Sequence, residues 1–134
     1  MSEEFDTETV HPSEIFSVRA DIFAPCALGG VINDETIPEL KAQIIAGAAN
    51  NQLLDERHGE MLRERNILYA PDYVANAGGV LNGCVELLGW NAQLASKKVD
   101  EIYDTMLTIF EAAKTQGIPP NQAADRLVEK RLQI

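Results

Sequence analysis

Three short apolar runs, each closed by a proline or a glycine, constrain the fold most. The runs are residues 20–24, closed by Pro25; residues 43–46, closed by Gly47; and residues 67–70, closed by Pro71. Apolar runs of this length are too short for helices and are typical of buried strands in a parallel sheet. The sequence therefore predicts three parallel strands, and a fourth strand near Thr9 is compatible with the same pattern.

Helical patterns separate the three runs. Residues 36–41 carry Pro38, which suits a first helical turn because its missing N–H would be unpaired there in any case. Residues 55–65 place Met61 and Leu62 on one side and charges elsewhere. Strands that alternate with helices predict βαβ crossovers and an α/β layer.

The last third of the chain is predicted to be helical. Residues 80–88 are apolar on most sides, which predicts a largely buried helix. A second stripe recurs at steps of three and four residues and consists of Val99, Ile102, Tyr103, Met106, Ile109, Phe110 and Ala113. Gly117 and Pro119 end that helix, and residues 123–128 repeat the pattern. The predicted fold is thus α/β, a parallel sheet followed by two or three C-terminal helices.

Charge and composition exclude several classes of partner. The chain has 11 Lys and Arg against 21 Asp and Glu, a net charge of −10, and no basic cluster, so nucleic-acid binding is excluded. No apolar run approaches the roughly 20 residues that span a bilayer, so no membrane partner is expected. Cys26 and Cys84 have no metal-ligand spacing, and we expect no metal site and a reduced, cytoplasmic chain.

The segments that follow the three runs hold the candidate site. Residues 24–30, 47–52 and 71–79 combine small residues with carboxamides, and ligands of such sheets bind beyond the carboxyl ends of the strands. An asparagine offers one acceptor and two donors without adding charge, so Asn50, Asn51 and Asn76 are candidates for contacts with a nicotinamide, a ribose or a carboxylate. Glycine and asparagine also supply turns after strands, and composition alone leaves both interpretations open.

Four other polar residues are weaker candidates. His11 and His58 flank charged or turn-like stretches and are predicted to lie at the surface. Cys26 has no neighbouring cation that would activate its thiol. Asp72 is predicted to cap the turn that follows it. We expect no catalytic residue among them.

Three strings carry a resemblance to a known family: DIFAPCALG at residues 21–29, IAGAANNQL at 45–53 and YAPDYVANAGGV at 69–80. They resemble, in order and spacing, the C-terminal dinucleotide-binding part of the leucine/phenylalanine/valine (Glu/Leu/Phe/Val) amino-acid dehydrogenases, over residues 12–131. Residues 1–12 are predicted to be an acidic tail. The resemblance implies that residues 13–134 are part of the NAD-binding domain, an α/β fold with a partial Rossmann-like parallel sheet (its second half) and C-terminal helices. The resemblance implies reversible oxidative deamination of an L-amino acid to its 2-oxo acid and ammonia, with NAD as hydride acceptor.

The resemblance also implies which residues face the cofactor. Cys26 and Ala27 would lie along the cofactor ribose and use main-chain groups. Ala49, Asn50 and Asn51 would face the nicotinamide, and Asn50 is also the better candidate for the substrate carboxylate.

From the third loop onwards, the resemblance assigns Asn76 to the nicotinamide side and Val80 and Gly83 to the pocket for the substrate side chain. It implies that leucine-type members carry a branched aliphatic residue at the position of Gly83. A glycine there opens space for a larger side chain, which favours an aromatic substrate. An alternative is that Gly83 eases close helix packing against Trp90 or the sheet, and the sequence supports both equally.

Some family features have no counterpart in these residues. No G-x-G-x-x-G follows a strand, and the pairs Gly29-Gly30 and Gly78-Gly79 do not have that spacing. The catalytic lysines and aspartate of the family belong to an N-terminal domain whose motifs are absent here. We therefore expect a fragment that is inactive alone and binds NAD weakly or not at all. The alternative is a non-catalytic oligomerisation or binding module, and an exposed sheet edge predicts a homo-oligomer.

Overall fold

The structure, a computed structural model, describes residues 7–133. Three strands form one parallel sheet in the order β1 (Ile22–Phe23), β2 (Ile44–Ile45) and β3 (Leu68–Tyr69). Ile44 of β2 lies opposite Ile22 on one side and opposite Leu68 on the other. Each strand lies inside its predicted run but has only two residues. The predicted α/β fold with a parallel sheet is confirmed.

The connection from β1 to β2 differs from the prediction. Instead of a helix over residues 36–41, the structure has one turn of 3₁₀-helix, Ile37–Glu39. Asn33 explains where this turn starts, because its Oδ1 accepts hydrogen bonds from the N–H groups of Glu35 and Thr36, each at 3.0 Å. Leu40 then adopts an extended ψ of 129°, which ends the turn before a second one can form.

The next connection is an α-helix within its predicted region, and a short helix that was not predicted lies in residues 71–79, which were expected to be a loop. Helix α1 (Arg57–Glu64) joins β2 to β3, and α2 (Asp72–Ala75) follows β3 directly. Three longer helices complete the chain as predicted: α3 (Gly78–Leu87), α4 (Ala92–Gln116) and α5 (Pro120–Leu132).

Two apolar clusters hold these elements together. The first packs the sheet against α1 and the 3₁₀ turn and contains Ile32, Ile37, Leu40, Ile45, Leu62, Ile67 and Tyr69. The second joins α4 to α5 and contains Ile109, Ala113, Ala123 and Ala124. The sheet core and the helical core are therefore built mainly from different segments of the chain.

The ends of α4 follow the sequence signals closely. Asn91 caps its first turn, because its Oδ1 accepts a hydrogen bond from the Leu94 N–H at 2.8 Å. Gly117 ends the helix with a φ of +67°, a left-handed conformation that glycine adopts without strain. The predicted apolar stripe is only partly buried: Ile109 is buried, whereas Tyr103 is 69% exposed.

Helix α3 contradicts the prediction that residues 80–88 are largely buried. None of its residues is buried, and Val80 and Leu87 are 75% and 83% exposed. The reason is that α3 packs mainly against one neighbour, α4, so its remaining faces contact no other described element closely. Its apolar composition thus marks surfaces that nothing within residues 7–133 covers.

The first residues described also depart from one expectation. Residues 7–11 have no regular secondary structure, so the prediction of a fourth strand near Thr9 is wrong. Residues 1–6 of the predicted acidic tail lie outside the described part of the chain. Among the described residues, β1 pairs with β2 on one side and with no strand on the other. Phe16 packs edge-on against Phe23 of β1, with ring centroids 5.5 Å apart.

Within the described range, no helix combines the length and apolar character that a membrane span requires.

Candidate functional site

The loops after β1 and β2 are bound to each other at the carboxyl edge of the sheet. The Gly30 N–H donates to the Asn51 carbonyl at 2.7 Å, and the Ala49 N–H donates to the Pro25 carbonyl at 2.9 Å. Both contacts use main-chain groups, so they hold the two loops together whatever their exposed side chains do. These two hydrogen bonds flank Asn50 in the second loop and fix the position of its main chain at the edge of the sheet.

Two glycines make that contact possible. A Cβ atom at Gly47 would lie 2.2 Å from the Pro25 carbonyl oxygen, and one at Gly29 would lie 2.6 Å from the Asn50 carbonyl oxygen. Real Cβ atoms do not approach backbone so closely, so any side chain would push the loops apart. The small residues of these loops therefore serve packing between the loops, in addition to any ligand they admit.

Asn50 and Asn76 come together across the second and third loops. The Asn76 Nδ2 donates to the Asn50 Oδ1 at 2.6 Å and to the Ala48 carbonyl at 3.2 Å. Asn50 is exposed and Asn76 half-buried. Within residues 7–133, neither the Asn50 Nδ2 nor the Asn76 Oδ1 makes a further hydrogen bond. The pair thus presents one donor group and one acceptor at the edge of the sheet.

Asn51 occupies a different position from this pair. Its φ of +53° is left-handed, and its carbonyl is the one that binds Gly30. It lines a groove of about 490 Å³ together with Asp55, Tyr73 and Asp125. No hydrogen bond between described residues links its side chain to Asn50 or Asn76.

The remaining predicted cofactor residues differ in exposure. Cys26 and Ala27 are exposed, the Cys26 thiol is free, and both line an apolar groove of about 390 Å³ that also includes Phe16. Ala49 is buried, and its carbonyl accepts a hydrogen bond from the Gln52 Nε2 at 3.0 Å. Its main-chain N–H and C=O are therefore both engaged within the protein.

Gln52 and Asp72 support the site from within the protein, and sequence analysis did not predict the contact between them. The buried Gln52 donates from Nε2 to the Gly47 carbonyl at 2.8 Å and from its main-chain N–H to the Asp72 Oδ2 at 2.6 Å. The prediction that Asp72 caps its own turn is wrong, because its carboxylate reaches across to the second loop and makes no cap bond to α2. These contacts fix the second loop below Asn50.

His58 also departs from its prediction as a surface residue. It is only 1% exposed, and its Nδ1 accepts a hydrogen bond from the Asp55 N–H at 2.9 Å, so it satisfies the first turn of α1. Its Nε2 lies 3.5 Å from the Asp34 Oδ2. The signal that would have identified this role is the spacing of Asp55 and His58 near the start of the helix. A histidine three positions after a free main-chain N–H can accept a hydrogen bond from it. His11 is exposed, as predicted.

The edge of the sheet carries little formal charge. The three loops contain no lysine or arginine, and the one carboxylate, Asp72, is buried and bound to Gln52. Burial raises the pKa of Tyr69 and of Tyr73 above its ordinary value, so both phenols stay neutral. No group of three or more metal-ligating side chains forms within the described range. The loops are thus suited to neutral hydrogen bonding.

Val80 and Gly83 share one face of α3, three residues apart. Val80 is well exposed, and a Cβ atom at Gly83 would have no heavy atom within 4 Å. The alternative that Gly83 eases close packing against Trp90 or the sheet is therefore wrong. The space beside Gly83 is open.

Comparison with known proteins supports the resemblance. The sequence profile of the Glutamate/Leucine/Phenylalanine/Valine dehydrogenase family matches residues 2–131. The leucine dehydrogenase of Thermoactinomyces intermedius is 59% identical over 132 residues, which are 98% of this chain and 36% of that enzyme. The chain thus spans little more than a third of the length of this relative.

Solved structures agree with the sequence relatives. The crystal structure of L-tryptophan dehydrogenase from Nostoc punctiforme is similar with a TM-score of 0.94 and 54% identity, over 98% of this chain and 40% of that one. A hetero-hexameric glutamate dehydrogenase from Thermus thermophilus, at 19% identity, shares the fold with a TM-score of 0.75 over 98% of this chain and 34% of that one. The profile match and the shared fold cover nearly every residue, and the chain belongs to the glutamate/leucine/phenylalanine/valine dehydrogenase family.

Proposed function

We propose that the chain forms the nicotinamide- and substrate-facing part of the cofactor-binding domain of an NAD-dependent L-amino-acid dehydrogenase. The reaction is reversible oxidative deamination of a leucine- or phenylalanine-type amino acid to its 2-oxo acid and ammonia. The observation that carries this proposal is the Asn50–Asn76 pair, which lies at the carboxyl edge of a parallel sheet and offers a donor and an acceptor there.

The chemistry of the site fits the nicotinamide end of NAD. A nicotinamide carboxamide has one acceptor and two donors, which complement the Asn50 Nδ2 and the Asn76 Oδ1. The main chain at Cys26 and Ala27 is exposed for contacts with the adjoining ribose. When bound, NAD accepts the hydride, and the residues of this chain orient its ring. Contacts from Ala49, which is buried, and from Asn51, which lines a separate groove, stay predictions.

The same pair suits the substrate. We assign the Asn50 amide to the substrate carboxylate because an N–H donor binds an ionised oxygen more strongly than a neutral one. Val80 and Gly83 lie on the helix that begins two residues after Asn76, and they form a wall for the substrate side chain. The carboxamides and α3 would thus hold opposite ends of one amino acid.

The 134 residues by themselves are expected to have no turnover. Deamination needs a group that polarises water and takes up a proton, and the three loops contain no lysine, no histidine and no free carboxylate. The loops also contain no G-x-G-x-x-G turn to hold the pyrophosphate, so NAD binding by the isolated chain is expected to be weak. The chain supplies orientation, and acid–base groups must come from other residues of a complete enzyme.

A chimeric enzyme tests this proposal. In the leucine dehydrogenase of Thermoactinomyces intermedius, the matching segment is replaced by this chain, and NADH formation is followed with L-leucine and L-phenylalanine. We expect turnover by the chimera and none by the isolated chain. A chimera that folds and binds NAD but oxidises no L-amino acid would contradict the proposal, and so would turnover by the isolated chain.

A non-catalytic oligomerisation or binding module derived from this domain is the second candidate. It is favoured by the exposed apolar face of α3 and by the edge of β1 that no described strand pairs. This candidate predicts that the isolated chain forms a stable complex with a copy of itself and that the chimera has no dehydrogenase activity. Self-association of the isolated chain is expected in both cases, so the dehydrogenase activity of the chimera separates the two candidates.

A further inference from the structure

Leu87 extends the wall formed by Val80 and Gly83. It lies four residues after Gly83 and seven after Val80, so all three occupy one face of α3. Leu87 is 83% exposed and belongs to neither apolar cluster, and the space beside Gly83 is open. Leu87 is thus a large apolar side chain outside the core, and it lies one helical turn after the open space at Gly83.

Helix geometry places the Leu87 side chain beside that gap. Gly83 and Leu87 are separated by about 6 Å along the helix axis. Leucine side chains on a helix lean towards its N-terminus and cover the surface over the preceding turn. No heavy atom lies within 4 Å of a Cβ placed at Gly83, so the Leu87 side chain borders the gap and does not fill it.

The direction of α3 relates this face to the proposed site. The helix begins at Gly78, two residues after Asn76, whose amide binds Asn50. We infer the order of contacts for a substrate whose carboxylate is held at that pair and whose side chain runs along α3. It would meet Val80 in the first turn, the gap at Gly83 in the second and Leu87 in the third.

We propose that Leu87 closes the far end of the substrate pocket and limits the length of side chain that the enzyme accepts. This inference rests on the proposed function. A leucine-sized side chain ends beside Val80, whereas an aromatic one passes through the gap at Gly83 and contacts Leu87. Leu87 is therefore a steric limit on aromatic side chains, and Gly83 is the opening that lets them reach it.

Leu87 has one competing role, which is to pack against another part of a complete enzyme without touching substrate. A packing role predicts that truncation lowers kcat/KM for all amino acids by the same factor. The specificity role predicts that the ratio between a long and a short substrate changes while the short one is unaffected. The ratio of kcat/KM values for L-tryptophan and L-leucine therefore separates the two roles.

The test uses the chimera that contains the complete chain, with Leu87→Ala, Leu87→Val and Leu87→Phe. We expect the tryptophan-to-leucine ratio of kcat/KM to rise about tenfold with alanine, to rise less with valine and to fall about tenfold with phenylalanine. Leu88→Ala is the matched control: Leu88 is also exposed but turned about 100° around the helix, so the ratio should not change.

The outcomes distinguish this inference from the function on which it rests. A parent chimera without any L-amino-acid oxidation contradicts the proposed function and, with it, the inference. An active chimera whose ratio is unchanged by Leu87→Ala and Leu87→Val overturns the inference alone, as does an equal loss for both substrates. The valine change removes one methylene only, so it keeps the test decisive if the alanine variant does not fold.

Discussion

Asn76 joins the third loop to the second through one amide, and this contact has a direct functional consequence. In the active chimera, Asn76→Ala removes the hydrogen bonds to Asn50 and Ala48 and the acceptor proposed for the nicotinamide. We expect kcat/KM for the amino acid to fall about tenfold or more, since one lost hydrogen bond costs about 1–3 kcal/mol when its partner stays unpaired. Asn82→Ala, at an exposed position on α3, should leave kcat/KM unchanged.

Asp72 supports the site from below, and its loss should appear as a loss of stability. Its carboxylate is buried and accepts the Gln52 N–H, so Asp72→Ala leaves that donor without a partner. We expect the free energy of unfolding to fall by about 1–3 kcal/mol in urea denaturation. The exposed Asp100→Ala on α4 serves as the control. Equal midpoints for both variants would show that the Gln52–Asp72 contact does not stabilise the fold.

The ion pair between Asp34 and Arg57 introduces a dependence on pH. The Arg57 guanidinium, hydrogen-bonded to Asp34, holds the pKa of that carboxyl below its ordinary value of 3.8. A lowered pKa in the folded state stabilises the fold above pH 3.8, and this stabilisation is lost as the pH falls through the folded-state pKa. Unfolding curves of wild type and Asp34→Asn should therefore differ near neutral pH and converge at lower pH. A difference that grows on acidification would contradict the assignment.

Residue type and position in the sequence predicted the asparagines at the edge of the sheet. They did not predict the contacts of the buried residues beneath those asparagines. Asn50 and Asn76 were candidates because carboxamides that follow parallel strands meet at one edge of the sheet. The contact between Gln52 and Asp72 spans 20 positions, and the buried His58 has its Nε2 3.5 Å from the Asp34 Oδ2. Local patterns do not contain such contacts, so Asp72 was assigned to a turn and His58 to the surface.

At the scale of elements, the positions of the strands could be predicted from the sequence, whereas the burial of α3 could not. Each apolar run contained its strand because a run closed by proline or glycine has few other conformations. Helix α3 is apolar on most sides, which indicates that it is suited to burial but does not specify against what. Only α4 packs closely on it here, and the predicted burial fails for that reason. The predicted helix over residues 36–41 does not form because the extended ψ of Leu40 ends the turn after Glu39.

The contact between the first and second loops can be tested through their glycines. Gly47→Ala would place a methyl group 2.2 Å from the Pro25 carbonyl oxygen, so both loops must shift. We expect the free energy of unfolding to fall by about 1–3 kcal/mol. Gly79→Ala lies in α3 with open space around it and should be neutral or stabilising by up to about 1 kcal/mol. Similar thermal midpoints for the two variants would contradict the close packing of the loops.

At the scale of the whole molecule, the isolated chain is expected to associate. No strand within residues 7–133 pairs with the outer side of β1, and Ile22 on this strand is exposed. We expect light scattering to show a mass that rises with concentration and Ile22→Lys to shift it towards the monomer. A single monomeric mass at all concentrations, for wild type and variant alike, would show that this edge does not drive association.

The central claim is that the edge carrying Asn50 and Asn76 holds the nicotinamide next to the amino-acid substrate. The most direct test is a crystal structure of the chimera with NAD and a 2-oxo acid bound. We predict that the nicotinamide carboxamide lies within hydrogen-bonding distance of Asn76 or Asn50 and that the side chain of the 2-oxo acid lies along Val80 and Gly83. A nicotinamide bound away from this pair, or a 2-oxo acid that makes no contact with α3, would contradict the account.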